Sequence, residues 1–209
     1  MRLILVRHGE TENNASRVTM GRMDVPLNER GERQAAALAG ALAADGRFGR
    51  IEAVYSSPLQ RARSTAEAIA AKLALAVETL PELIEMDVGE LEGHGYGEVR
   101  ERYADFMRVW ASDDLADAVM PGGESLRQVQ ERALMALDSM LGRHAEGTVV
   151  AVTHNFVSLT LLCHALGMPL AQFRRLRQDV AAFSVIEIAG ERLSVLAMND
   201  GCHLAGSED

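Results

Sequence analysis

Three short stretches of the sequence set a histidine or an arginine where it could act on an anion: Arg7-His8-Gly9, Ser57-Pro58-Leu59-Gln60-Arg61 and Thr153-His154-Asn155. A histidine that donates one ring nitrogen to backbone has a fixed tautomer, and its other nitrogen stays neutral and free to attack. Arg7 beside His8 could bind phosphate oxygens bidentately, and Gly9 lets the chain turn closely against a ligand. Arg61, about one turn inside a helix, would add a full charge to an end of the helix that already favours anions. Taken alone, it reads as a solvated helix arginine, as Arg63 does. His154, if protonated, would stabilise charge on a transferring phosphoryl group.

The elements around these stretches decide whether they meet. Leu3 to Val6 is an unalternating apolar run, which suits a strand covered on both faces. Asn28 can cap a helix to about Ala44 with Ala35, Leu38, Ala39 and Leu42 inward. Ile51 to Tyr55 reads as a strand, and Ser57-Pro58 as the cap and first position of a helix to about Leu73. Val77 to Leu80 suggests a third strand, and a helix is expected from about Tyr96 to Trp110. Ser125 with Gln128 fits a capping box ahead of the stripe Leu126, Val129, Ala133, Leu137 and Met140. Thr148 to Thr153 is the clearest strand, followed by a helix from about Phe156 to Leu166. Phe183 to Ile188 and Leu193 to Ala197 read as a hairpin.

Strands alternating with amphipathic helices predict an α/β fold, a three-layer α/β/α sandwich with a largely parallel central sheet. Ligands of such sheets bind outside the carboxyl ends of the strands. The loops after Val6, Tyr55 and Val152 are the ones that carry His8, Arg61 and His154. Their convergence is worth more than any member, since it would form one positive pocket.

The chain needs such a pocket, because its formal net charge is −9 over 209 residues. That balance argues against nucleic acid or an anionic membrane as a partner. The N-terminal apolar run is shorter than the roughly 7–15 residues of a signal sequence, and nothing approaches the roughly 18 of a membrane span. A cytoplasmic protein with one domain over 1–209 is expected. Cys163 lies in an apolar run and reads as core, and Cys163 with Cys202 makes no disulfide framework. His94, His144, His164 and His203 have no metal-ligand spacing and read as surface or satisfied core residues.

Taken together, the motifs resemble those of the histidine phosphatase superfamily, also called phosphoglycerate mutase-like, from Leu3 to about Leu166. Arg7-His8-Gly9-Glu10-Thr11 with Asn14 looks like its phosphohistidine signature, followed by Gly21, Asp24, Pro26, Leu27 and Gly31. Ser57-Pro58-Leu59 with Arg61-Ala62 and Thr65-Ala66 is similar to its second phosphate-binding motif. Leu83-Ile84-Glu85 with Gly89 and Glu92-Gly93, then Gly123-Glu124-Ser125 and Val152-Thr153-His154, complete the set in family order.

The resemblance implies that His8 is phosphorylated while Arg7, Arg61, His154 and Asn14 grip the phosphoryl group. Glu85 would protonate the leaving oxygen and later help activate water. It is chosen by family register, because Glu82, Asp87, Glu90 and Glu92 offer the same chemistry nearby. Gly21 and Asn155 are expected on the substrate side. Met20 and Asn155 depart from the family, which usually has a polar residue and a glycine there. The implied substrate is a small phosphorylated metabolite of sugar phosphate or phosphoglycerate type, with no metal and no cofactor, and a homodimer is common among relatives.

Within the superfamily the choice lies between a phosphatase and a cofactor-dependent mutase. Glu85 and His154 are only 69 positions apart, a modest insertion more similar to the phosphatase members. The segment at about 89–123 would then be a partial lid, with Arg100, Arg102, Arg108 and Trp110 as candidate contacts. A non-catalytic phospho-ligand binding module on the same fold would be marked by loss of His8 or Glu85, and both are present.

Overall fold

The computed structural model describes residues 1–205. Six strands, β1 (Arg2–Arg7), β2 (Ile51–Ser56), β3 (Val77–Thr79), β4 (Thr148–Thr153), β5 (Phe183–Ala189) and β6 (Arg192–Asp200), form one sheet. The helices are α1 (Glu12–Ala15), α2 (Glu29–Ala44), α3 (Gln60–Leu73), α4 (Tyr96–Arg102), α5 (Ala104–Trp110), α6 (Leu126–Arg143) and α7 (Asn155–Ala165). Strand order is β3-β2-β4-β1-β5-β6, with the first four parallel and the β5–β6 hairpin antiparallel. The sheet is thus mixed, and its parallel part includes β1, β2 and β4, whose carboxyl ends lead into the three loops singled out above.

Why the sheet is covered on both faces follows from β1. Leu3 and Leu5 belong to one core with Tyr55, Val149, Ala151 and the inner faces of α6 and α7. Ile4 and Val6 belong to a second core with Val54, Val150, Val152 and residues of α2 and α3. All four β1 side chains are fully buried, which is why the run shows no alternation in the sequence. Among the described residues no helix is long and apolar enough to cross a membrane.

Two local expectations change. The helix after β2 opens at Gln60 with Leu59 as a cap that makes no side-chain bond, so Ser57-Pro58 does not start it. The hydroxyl of Ser57 is committed elsewhere, as described below. The 96–110 helix is broken at Tyr103, whose backbone leaves helical geometry and whose hydroxyl donates to the Glu90 carbonyl at 3.1 Å.

Register brings the chemical stretches together. Arg7 pairs with Thr153 across adjacent parallel strands, so His8 and His154 follow side by side. The His8 N–H donates to the Thr153 carbonyl at 3.1 Å, and the Ser57 N–H to the Val152 carbonyl at 2.9 Å. The His8–Glu10 turn then lies on the first turn of α2. Asn28 donates from its side chain to Glu10 Oε1 at 3.0 Å, and Gln34 Oε1 accepts the Glu10 N–H at 2.9 Å.

That approach needs glycine on both sides. A Cβ on Gly9 would meet the Gly31 carbonyl oxygen at 2.6 Å, and one on Gly31 would collide with the Glu10 carbonyl. Gly31→Ala is expected to destabilise the fold by about 1–3 kcal/mol through overpacking, more than the roughly 0.5–1 kcal/mol that alanine gains in a helix. Urea unfolding measures the balance; equal or greater stability would mean that the His8 turn is not pressed on α2.

Candidate active site

His8, at the end of β1, is 2% exposed. Its Nδ1 lies 2.7 Å from its neighbour's carbonyl, Gly9 O, and Arg61 Nε donates to its Nε2 at 3.2 Å. An arginine N–H can only donate, so Nε2 holds the lone pair and Nδ1 the proton. Burial, then the charges of Arg61 and Arg7, push the His8 pKa well below the usual imidazole value. The result is a neutral imidazole with its basic nitrogen facing a guanidinium.

Arg61 is itself fully buried. Its NH1 donates to the Met23 carbonyl at 2.7 Å and its NH2 to the Gly21 carbonyl at 2.8 Å. Burial lowers its pKa to about 10, so it stays charged at neutral pH. The 21–23 loop is held by Glu92, which accepts from the N–H groups of Gly21 at 2.6 Å, Arg22 at 3.1 Å and Met23 at 3.0 Å. Gly21 therefore supports Arg61 from behind instead of lining the cavity, and a Cβ there would meet the Met86 carbonyl at 2.5 Å.

Arg7 donates through NH1 to the Gln178 carbonyl at 2.7 Å and to Asn155 Oδ1 at 3.3 Å. Its Nε is buried without a partner. Asn155 thus touches the arginine as well as the cavity. Asn14 lines the cavity too, with Oδ1 accepting from the Thr11 N–H at 3.1 Å and the Thr11 hydroxyl at 3.0 Å. Those bonds engage its amide oxygen and turn its amide nitrogen away from Thr11.

His154 is fully buried, with its ring centroid 5.1 Å from that of His8. Burial first, then Arg61, His8 and Arg7, hold its pKa well below the usual imidazole value, which disfavours the protonated form. Its Nε2 lies 2.7 Å from Ser57 Oγ, while Nδ1 has no partner. Ser57 Oγ also accepts from the Leu59 N–H at 3.3 Å, so its proton is free to point at Nε2. With that hydroxyl donating, the imidazole proton would sit on Nδ1 and His154 would be a neutral donor.

Glu85 is 5% exposed, and burial raises its pKa against the opposing pull of Arg61 and Arg7. Oε1 accepts the Met86 N–H at 2.8 Å and Oε2 the Phe156 N–H, in the first turn of α7, at 3.3 Å. Of the carboxylates nearby, it alone lines the cavity. Asp87 caps the Gly89 N–H and pairs with Arg22, Glu92 is bound to the 21–23 loop, and Glu90 is exposed.

Arg7, His8, Asn14, Arg61, Glu85 and Asn155 share one cavity of about 190 Å³, smaller than the roughly 300–1,000 Å³ of drug-sized ligand sites. Val18, Thr19, Met20, Val88, Tyr96 and Phe156 complete its wall. Arg100, Arg102, Arg108 and Trp110 do not line it, and Trp110 is buried among Phe106, Phe156 and Phe173. Two charged arginines beside neutral histidines suit a dianion. Ser57, Glu92, Tyr96 and Phe156 were not legible as site residues. For Ser57 and Glu92 the only signal was membership of a motif.

The sequence profile of the histidine phosphatase superfamily (branch 1) matches residues 3–201. Phosphoserine phosphatase 1 of Hydrogenobacter thermophilus is 36% identical over 98% of this chain and 94% of its own. The structure of Bacillus stearothermophilus YhfR superposes with a TM-score of 0.89 at 31% identity, covering 97% of this chain and 98% of that one. A putative alpha-ribazole-5'-P phosphatase from Escherichia coli gives 0.85 at 27% identity, covering 96% and 97%.

The Ser57–His154 bond can be tested alone. In the intact protein, ¹⁵N shifts of the His154 ring are expected to report a protonated Nδ1 and an accepting Nε2. Ser57→Ala removes the donor and is expected to yield a mixture of tautomers. An unchanged ring spectrum in the variant would mean that Ser57 does not set the proton.

Proposed function

The chain belongs to the histidine phosphatase superfamily, and on that premise we propose that it is a metal-independent phosphatase that hydrolyses a small phosphorylated metabolite through phosphorylated His8. The observation that carries this reading is the pair of bonds on His8, Nδ1 to Gly9 O and Nε2 to Arg61 Nε. They aim an unprotonated nitrogen at the place where an arginine would hold a phosphoryl oxygen.

In the first step the Nε2 lone pair attacks phosphorus, the ester P–O bond breaks, and Glu85 gives its proton to the departing alcohol. The charge that develops on Nδ1–H is spread towards the Gly9 carbonyl. In the second step water attacks phosphorus, the Glu85 carboxylate takes its proton, and the P–N bond breaks to restore neutral His8. Arg7, Arg61, the Asn14 amide and the His154 Nδ1–H donate to the phosphoryl oxygens throughout, which supplies fixed positive charge where it develops. Asn155 orients Arg7.

We read 1–209 as one domain with 89–123 as a partial lid. Val18 bridges to Gly95 and Thr19 donates to the His94 carbonyl at 2.8 Å, which ties this segment to the wall. Tyr96, on the lid side, is 55% exposed, so water can enter and hydrolysis is favoured over return of the phosphoryl group to a held product.

Rapid quenching with labelled substrate is expected to trap an acid-labile phosphoenzyme that His8→Ala lacks, with kcat lowered by at least ~10³. Activity is expected to survive exhaustive EDTA treatment. A label on serine or aspartate, or a loss that a divalent ion restores, would overturn the reading.

The pH profile follows from the direction of two shifts. Phosphorylation by an alkyl ester needs neutral His8 and protonated Glu85. It fails as pH falls through the depressed His8 pKa and as pH rises through the elevated Glu85 pKa. The optimum is expected on the acid side of neutrality, and Glu85→Gln is expected to lose the alkaline limb. p-Nitrophenyl phosphate, whose leaving group needs no proton, controls for titration of the ester itself. An alkyl-ester optimum on the alkaline side would reject Glu85 as the acid.

A further inference from the structure

Once the phosphoryl group is bound, the cavity has no charge left for a second anion. Among the described residues that line it, Arg7 and Arg61 are the only cations, and Arg61 lies against His8. Arg22 lies close by but is paired with Asp87 at 3.4 Å and Glu124 at 3.0 Å. Arg174 lies over Trp110 and Phe173, and Arg177 is paired with Asp179.

The leaving oxygen must reach Glu85, and Glu85 accepts from the backbone of Phe156. The alcohol therefore departs past Glu85 and its neighbour Phe156, in a cavity whose remaining wall includes Val18, Met20, Val88 and Tyr96. The Phe156 ring is pinned, with Phe173 at 5.9 Å and Trp110 at 6.2 Å between centroids. It offers a rigid aromatic surface. A carboxylate on the alcohol would meet this wall unpaired, where desolvation opposes it.

We propose that the site selects phosphate monoesters whose alcohol is uncharged and has an apolar or aromatic face, and rejects those bearing a second anion. This rests on the phosphatase reading above and narrows it away from phosphoglycerates. Phe156 and Met20 are the residues that set the choice.

Primary alkyl esters keep the leaving-group chemistry constant, so benzyl phosphate, glycerol 3-phosphate, 3-phosphoglycerate and its methyl ester form the test set. Benzyl phosphate is expected to exceed 3-phosphoglycerate in kcat/KM by at least ~10-fold, and the methyl ester, which removes only charge, to recover much of the difference. Phe156→Ala is expected to shrink the ratio of benzyl to glycerol ester, a comparison insensitive to the fraction of folded protein. Met20→Arg is expected to raise turnover of 3-phosphoglycerate. Calorimetry on His8→Ala gives the same ranking from binding alone. Preferential binding of benzyl phosphate without turnover of any ester by the intact enzyme would sink the phosphatase reading and sustain the selectivity. A preference for 3-phosphoglycerate over benzyl phosphate would overturn it.

Discussion

A guanidinium with no exposure to water lies against the unprotonated Nε2 of His8, and the geometry of the site depends on that contact. Arg61 loses its hydration on burial, a cost that is bearable only because its N–H groups find acceptors. Two are backbone carbonyls and the third is His8 Nε2. A protonated His8 would offer that N–H no lone pair and would set two cations together in low dielectric. The same contact therefore satisfies the arginine and keeps that nitrogen unprotonated.

Much of the surrounding structure holds acceptors in place for Arg61 and a carbonyl in place for His8. Glu92 binds three successive N–H groups of the 21–23 loop, so the carbonyls of Gly21 and Met23 point back at the guanidinium. Thr65, one turn along α3, accepts the Gly9 N–H and donates to the Arg61 carbonyl, which joins the His8 turn to the arginine's own helix. On the other wall Arg132 pairs with Glu124 and donates to the carbonyls of Glu82 and Ile84, fixing the loop that carries Glu85. A carboxyl group raised in pKa by burial needs this rigidity, because a loop that opened to water would let it ionise.

The residues most legible in the sequence were those placed by strand ends. His8 and His154 follow unbroken apolar runs, and parallel pairing of those runs leaves them adjacent without help from anything distant. Arg61 was ambiguous because one helical position looks like the next; its burial depends on a loop some forty residues away. Ser57 looked like a helix cap because serine before proline commonly is one. Its hydroxyl goes to His154 because β2 and β4 are neighbours, and strand order is not written locally. The charge state of His154 was not legible for a related reason: it depends on complete burial beside a fixed cation, which depresses its pKa. Phe156 and Tyr96 carried no signal, since an aromatic residue at a helix start reads as core.

The two ends of the 89–123 segment cross. Gly89, at positive φ, lies so close to the Pro121 carbonyl that no side chain fits, and Gly123 lies equally close to the Asp87 carbonyl. The segment thus leaves the domain and returns to it at nearly one point, like a module plugged into a socket. Closing a longer loop between fixed ends costs only about 0.6 kcal/mol for each doubling of its length. Such a socket can accept inserts of different size and chemistry while the sheet, its strand ends and the buried arginine stay where they are, so one hydrolytic core can be fitted with many different doors.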